Sequence, residues 1–564
     1  MELLDWVVIA AFMAALIGVV IWVMKKGQEN TADYFLGGRD ATWIAIGASI
    51  FASNIGSEHL VGLAGAGASS GMAMAHWEIQ GWLILLLGWV FVPFYSRSMV
   101  YTMPEFLEKR YNPQSRTILS VISLISYVLT KVAVTVYAGG LVFQQVFGIK
   151  ELWGIDFFWI AAVGLVVLTA LYTIFGGMRA VLYTSVLQTP ILLLGSVVIL
   201  VLGLKELGGW DEMMRICGAV PVNDYGNVMT DLIRSNKDPN FPWLGALTGS
   251  AIIGFWYWCT DQFIVQRVLS GKNQKESRRG TIFGAYLKLL PVFLFLIPGM
   301  IAFALHQKSI GAGGAGFLPM LSNGTINADV AFPTLVAKLL PAGLKGVIVC
   351  GILAALMSSL ASLFNSSASL FTIDFYKRFK PQTSEKKLVV IGQLATAAIV
   401  VLGILWIPIM RSIGDVLYTY LQDVQSVLAP GIAAAFLLGV TWKRTSAKGG
   451  MWGLITGLII GLLRLGANVF YSNVPGAPQS LFKYVFYDIN WLFFCGMMFL
   501  FCVLVIVLVS LFTEAPPLEK IQGLVFGTAT PAQKAETRAS WNHWDIIHTV
   551  IILGITVAFY IYFW

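Results

Sequence analysis

Of 564 residues, 57% are hydrophobic and only 12% carry charge, about half the charged fraction of soluble proteins, which excludes a water-soluble multidomain enzyme and a disordered chain. Five cysteines without CxxC or metal-ligand spacing exclude a disulfide scaffold. The net charge of +8 sits in short basic clusters between apolar runs, the pattern of membrane-protein loops and not of a nucleic-acid binder.

The apolar runs are about twice the ~10 residues of an outer-membrane barrel strand, so the reading is an all-α integral membrane protein. The first run, Leu3 to Met24, follows Glu2, contains Asp5 and ends at Lys25-Lys26 with no small-residue cleavage site; it is expected to be a retained helix. Further spans are expected at 41–66, 73–95, 118–148, 156–175, 180–204, 243–264, 279–305, 332–376, 387–410, 415–441, 447–472, 484–512 and 546–564, fourteen in all. The run 332–376 exceeds one crossing and is expected to include an outer approach helix at 332–344. Most of the 37 basic residues fall in loops on one face, which puts both termini outside. The long polar loops 205–242, 306–331 and 513–545 are too short for a catalytic domain of ~100 residues.

Function is expected where an apolar helix carries polar or flexible residues that hydrocarbon rejects. The second helix reads Gly47-Ala48-Ser49-Ile50-Phe51-Ala52-Ser53-Asn54-Ile55-Gly56-Ser57-Glu58-His59. A helix interrupted there frees carbonyls to bind a cation; the bland alternative is a buried polar network. Ser57 and His59 could suggest a nucleophile and base, but residues two apart on a helix do not face each other, and no oxyanion element accompanies them. The seventh helix reads Trp256-Tyr257-Trp258-Cys259-Thr260-Asp261-Gln262. Aromatic faces beside amides and carboxylates suit a polyol with apolar C–H faces and a hydroxyl rim; an interfacial aromatic belt is the competing reading. In the ninth helix, Ala355 lies one turn before Ser359, and Ser358 adds a second hydroxyl. Small residues there also suit close packing, yet oxygen ligands suit a small hard cation. Lys288, Glu78 and Gln422 are isolated polar residues at or near membrane depth.

Interruptions in the second and seventh helices, five apart, match a five-helix inverted repeat. The chain then divides into a first helix and loop (1–40), a first repeat (41–204), an outer loop (205–242), a second repeat (243–441) and three further helices (442–564).

At these residues the sequence resembles the sodium/glucose cotransporter branch of the sodium–solute symporter family. The matching stretches are Gly47–Gly67, Tyr172–Gln188, Trp256–Arg267, Ala355–Asp374 and Phe436–Arg444, and the likeness runs over essentially the whole chain. The resemblance implies a LeuT-type five-plus-five fold and a transporter in place of an enzyme. It implies a sodium site formed by the carbonyls of Ala52, Ile55 and Ala355 and the hydroxyls of Ser358 and Ser359. Sugar contacts would come from Asn54, His59, Glu78, Tyr257, Trp258, Lys288 and Gln422. Leu63, Trp77 and Tyr418 would form the outer gate, and Tyr257 would close the inner side. Two departures stand out. Thr184 is followed by Ser185, where members with a second sodium carry Asp, and Ala361 replaces a hydroxyl; one sodium per sugar is therefore expected, with Ser185 and Ser362 the remaining hydroxyls. Gly254 replaces a polar residue that elsewhere helps hold the sugar. The implied partners are a glucose- or galactose-type sugar, the sodium ion and the lipid bilayer; the lack of large extra loops and of a cleavable signal leads to the expectation of a bacterial inner membrane. A myo-inositol or other polyol carrier, and a sugar-binding sensor or leak without coupling, are the alternatives.

Overall fold

The computed structural model describes the chain except residues 57, 322–323, 414–416 and 475; at 58, 129–130, 409–413 and 417–423 it describes the backbone alone. Among the described residues the protein is helical, with one two-stranded hairpin, Glu151–Leu152 paired antiparallel with Ile155–Asp156.

In chain order, the helices that matter to the site begin with α1 (Leu3–Met24), α2 (Trp43–Asn54), α3 (Ala64–Ser70) and α4 (Ala75–Glu78). Next come α5 (Pro113–Ser126), α6 (Ala133–Phe147), α7 (Phe157–Leu207), α8 (Trp243–Phe255), α9 (Gln262–Leu269), α10 (Gln274–Lys288) and α11 (Ile297–Gly311). The remainder are α12 (Ala331–Leu339), α13 (Leu344–Ser369), α14 (Glu385–Ile413), α15 (Leu417–Thr441), α16 (Ala447–Asn473), α17 (Trp491–Leu511) and α18 (His543–Tyr562).

Among the described residues, ten helices are long and apolar enough to cross a bilayer. The expected spans at 41–66, 118–148 and 243–264 are not among these ten as single helices, and each contains a departure from regular α-helix. α2 stops at Asn54, α5 and α6 meet at a wide π-helical turn over Tyr127–Val132, and α8 passes into another over Trp256–Thr260. Two other expected spans lie within the 51 residues of α7. At 1.5 Å per residue an unbroken α7 would run about 77 Å, far beyond a ~30 Å hydrocarbon core. Gly177 divides it, at φ 53° and ψ −154°. A Cβ there would lie 2.5 Å from the Tyr34 carbonyl oxygen, so a larger residue is barred by both backbone angle and space. The expected approach helix is α12, ending at Leu339.

α7 packs along α13, α2 against α10 and α7, and α15, α16 and α17 pack on one another. Large apolar side chains such as Leu462, Val469, Leu500 and Val557 are exposed on α16, α17 and α18; lipid is the solvent that suits such a surface. The 205–242 segment folds over the far end of α3: the Met72 amide donates to the Met229 carbonyl at 2.8 Å, the Arg234 guanidinium donates to the Ser70 carbonyl, and Phe241 meets Trp77 edge-on. Asp329, in the segment 306–331, presses on α3, its carboxylate 3.1 Å from where a Cβ of Gly65 would stand.

Candidate functional site

Ile55 carries φ −78° and ψ 105°, so its amide makes the last bond of α2, to the Phe51 carbonyl. The carbonyls of the last turn of α2, Ala52 among them, therefore lack a following α-helical amide, whereas the Gly56 carbonyl accepts from the amides of His59 and Leu60. Gly56, next in the chain, favours this break, since glycine gives up more backbone freedom than any other residue on entering a helix. Facing it on α13, Ala355, Ser358 and Ser359 lie one turn apart on one face. Ser359 abuts Gly56, where an added Cβ would sit 3.0 Å from the Ser359 hydroxyl oxygen. Released carbonyls and two hydroxyls are an oxygen donor set suited to a small hard cation.

Next to this break lies a cavity of ≈ 40 Å³ lined by Asn54 at the end of α2, His59 beyond it, Glu78 of α4, Tyr257 and Trp258 in the turn after α8, and Lys288 of α10, among others. The Lys288 ammonium donates to Glu78 Oε2 at 2.6 Å and to Asn54 Oδ1 at 3.2 Å. His59 Nε2 lies 3.1 Å from the same Glu78 oxygen. Asn54 Nδ2 donates to the Tyr257 hydroxyl at 3.1 Å. Trp258 stands edge-on to Tyr257, and Lys288 lies 5.2 Å from the Trp258 ring. Among the described residues, His59 Nδ1 and Trp77 Nε1 are buried without a protein partner, so each can bond a solute without breaking a native contact. Trp77 also lines the cavity and stacks on Trp491 at 5.7 Å.

A second ionic group lies on the other side of Tyr257. Lys131 Nζ contacts Asp261 Oδ2 at 2.7 Å, the Tyr127 hydroxyl donates to Asp261 Oδ1, and Lys131 sits 4.8 Å from the Tyr257 ring. Beyond it, Arg267 Nε donates to Ser53 Oγ at 3.2 Å, and Ser53 pairs with Ser362 at 2.6 Å. Both Arg267 terminal nitrogens are buried without a partner among the described residues. Ser185 Oγ donates to the Val181 carbonyl at 2.6 Å and lies 3.3 Å from Ser358 Oγ.

The structure therefore brings together Asn54, His59, Glu78, Tyr257, Trp258 and Lys288 around one cavity, with Trp77 on its wall. Ala52, Ile55, Ala355, Ser358 and Ser359 are all buried at the break. Leu63 is buried outside the cavity lining. The side chains of Tyr418 and Gln422, and all of Ser57, lie outside the described residues. Three lining or supporting groups escaped the sequence: Gln80, Gln425 and the Lys131–Asp261 pair. Gln425 is one helical turn from Gln422, so the same face carries it. Lys131 offered a signal, as a charge at membrane depth, but its partner is 130 residues away.

Comparison with known proteins places this architecture. A family model described as "Sodium:solute symporter family" matches residues 34–457. The mouse sodium/glucose cotransporter 4 is 38% identical over 538 residues, covering 93% of this chain and 78% of that protein. The mouse sodium/myo-inositol cotransporter 2 is 38% identical over 542 residues, covering 94% and 80%. Among solved structures, a Na+-coupled sialic acid symporter superposes with a TM-score of 0.73 at 22% identity, covering 91% of this chain and 99% of that one. That likeness shows the fold, a LeuT-like helical transporter architecture.

Proposed function

The chain belongs to the sodium:solute symporter family, and on that premise we propose that it imports an uncharged monosaccharide of the glucose/galactose type, with one sodium per sugar, by alternating access. A multi-pass membrane protein of this family is a sodium-coupled solute symporter; the solute and the stoichiometry are our reading.

The observation that carries the solute class is the Glu78–Lys288 pair. The two fixed charges cancel at 2.6 Å, so a charged solute finds no uncompensated partner. A polyol finds a carboxylate acceptor, an ammonium donor, amides and an aromatic wall. The cavity of ≈ 40 Å³ has room for a few water molecules, so sugar entry requires Glu78 and Lys288 to part and remake their bonds with hydroxyls.

In the proposed cycle, sodium binds the carbonyls of Ala52, Ile55 and Ala355 and the hydroxyls of Ser358 and Ser359, holding the two halves of the broken helix against α13. The sugar engages Asn54, His59, Glu78, Lys288, Trp258 and Gln422. Leu63, Trp77 and Tyr418 close the outer side, and Tyr257 yields on the inner side. Arg267, bonded to Ser53 beside Ser362, sets a fixed positive charge where a second cation would need the Ser362 hydroxyl. This supports a single coupling ion. One charge moving down 100 mV gives about 2.3 kcal/mol, and a tenfold sodium gradient about 1.4 kcal/mol. The sum of about 3.7 kcal/mol sustains roughly a 500-fold sugar gradient.

The inverted repeats are assigned to 41–204 and 243–441, with both termini outside a bacterial inner membrane, the orientation supported by the basic loops. myo-Inositol is the second reading, because a sodium/myo-inositol cotransporter is as similar in sequence as a sodium/glucose one. The deciding experiment is uptake of labelled glucose, galactose and myo-inositol into proteoliposomes under an inward sodium or potassium gradient. Sodium-driven accumulation of a hexose supports the reading. Preference for inositol selects the second one, and equal equilibration in both salts marks a leak or sensor.

A further inference from the structure

We propose that Gln80 is a further solute-specificity residue, whose side-chain oxygen reads one hydroxyl of the solute through the gap left by Gly254; this rests on the reading of the cavity as a sugar site. Gln80 is 3% exposed and lines the same cavity as Glu78, two residues before it. Its Nε2 donates to the Ser250 carbonyl on α8 at 2.9 Å. Gly254 lies one turn further along α8. A Cβ built there would be 2.3 Å from Gln80 Oε1, 2.8 Å from its Cδ and 2.6 Å from Leu83 Cδ1. The Gln80 amide thus occupies the place that a side chain at 254 would fill.

The anchor fixes the chemistry. With Nε2 bonded to a carbonyl, the amide cannot flip without setting oxygen against oxygen. Oε1 is then held as an acceptor on the cavity wall, and among the described residues no donor reaches it. Glu78 Oε2, by contrast, is already shared by Lys288 and His59. Gln80 Oε1 is therefore suited to a neutral hydroxyl donor. It discriminates against a ring position that carries hydrogen in place of hydroxyl, since a polar group of the site is then left unpaired.

The test is sodium-driven uptake of the transported sugar and each of its monodeoxy analogues by the wild type, Gln80→Ala, Gly254→Asn and the double variant. In the wild type, one deoxy analogue should be worse than the parent by about tenfold, the upper range for one neutral hydrogen bond. Gln80→Ala should raise KM for the parent by about the same factor and leave KM for that analogue unchanged, so discrimination vanishes at one position only. Gly254→Asn alone should lose uptake through collision with Gln80. The double variant should regain uptake, because an amide re-enters the same space from α8. Uptake by Gln80→Ala with an unchanged deoxy profile, or weakened equally at every position, overturns the proposal while leaving the sugar reading intact. Absence of sodium-driven uptake of any monosaccharide by the wild type overturns the sugar reading, and this proposal with it.

Discussion

The Lys288 ammonium lies 2.6 Å from the Glu78 carboxylate, both residues 3% exposed, across 210 residues of sequence. Deleting one member of such a pair strands the other charge. Glu78→Ala should cost about 3–5 kcal/mol of stability, Lys288→Ala a similar amount, and the double variant less than their sum. Thermal unfolding of the purified variants in detergent measures this; strictly additive losses would show that the pair is not coupled.

At the proposed cation site, Ser359→Ala removes a hydroxyl without adding bulk. Half-saturating sodium should rise by about tenfold or more, the scale of one lost polar ligand. Gly56→Ala should act in the same direction, since its Cβ arrives 3.0 Å from the Ser359 hydroxyl oxygen. Sodium titrations of uptake check both. Unaltered sodium dependence in Ser359→Ala would remove that residue from the ligand set.

Arg267 beside Ser53 and Ser362 predicts that sodium activates uptake along a simple hyperbola with one ion per sugar. Parallel radiotracer counts of sodium and sugar give the ratio directly. A ratio of two would mean that the guanidinium does not bar a second cation.

Asp329 lies outside the membrane-spanning segments, pressed on α3, and burial raises its carboxyl to about 6. The folded protein thus holds a proton that the unfolded chain, near its ordinary value of 3.8, releases earlier. Its contribution to stability is greatest below about pH 4, falls as pH rises to about 6, and is flat above. Asp329→Asn should flatten that slope in thermal-shift assays run from pH 4 to 7, whereas an unchanged profile would assign the slope to other groups.

The helix breaks were legible because they are written locally. Small, polar and backbone-permissive residues at Ser53–Gly56 and the aromatic run before Asp261 each announce a disrupted helix. Glu78 and Lys288 were legible as misplaced charges, but their pairing was not, because no local rule links residues so far apart. The Lys131–Asp261 pair was hidden for the same reason. Gln80 was hidden for another: in sequence it is one more polar residue near a helix end, and its role follows only from the empty side-chain position at Gly254 on a different helix.

Tyr257 stands between two closed ionic circuits, with Asn54 bonded to its hydroxyl on the Glu78–Lys288 side and Lys131 4.8 Å from its ring on the other. Its hydroxyl is held by one circuit and its ring by the other, so swinging aside gives up both contacts. In the proposed cycle Tyr257 is the inner barrier, and held this way it is a latch with two seats and not a hinge of graded travel; single-molecule records of the protein at work should then show abrupt switching between two dwell levels.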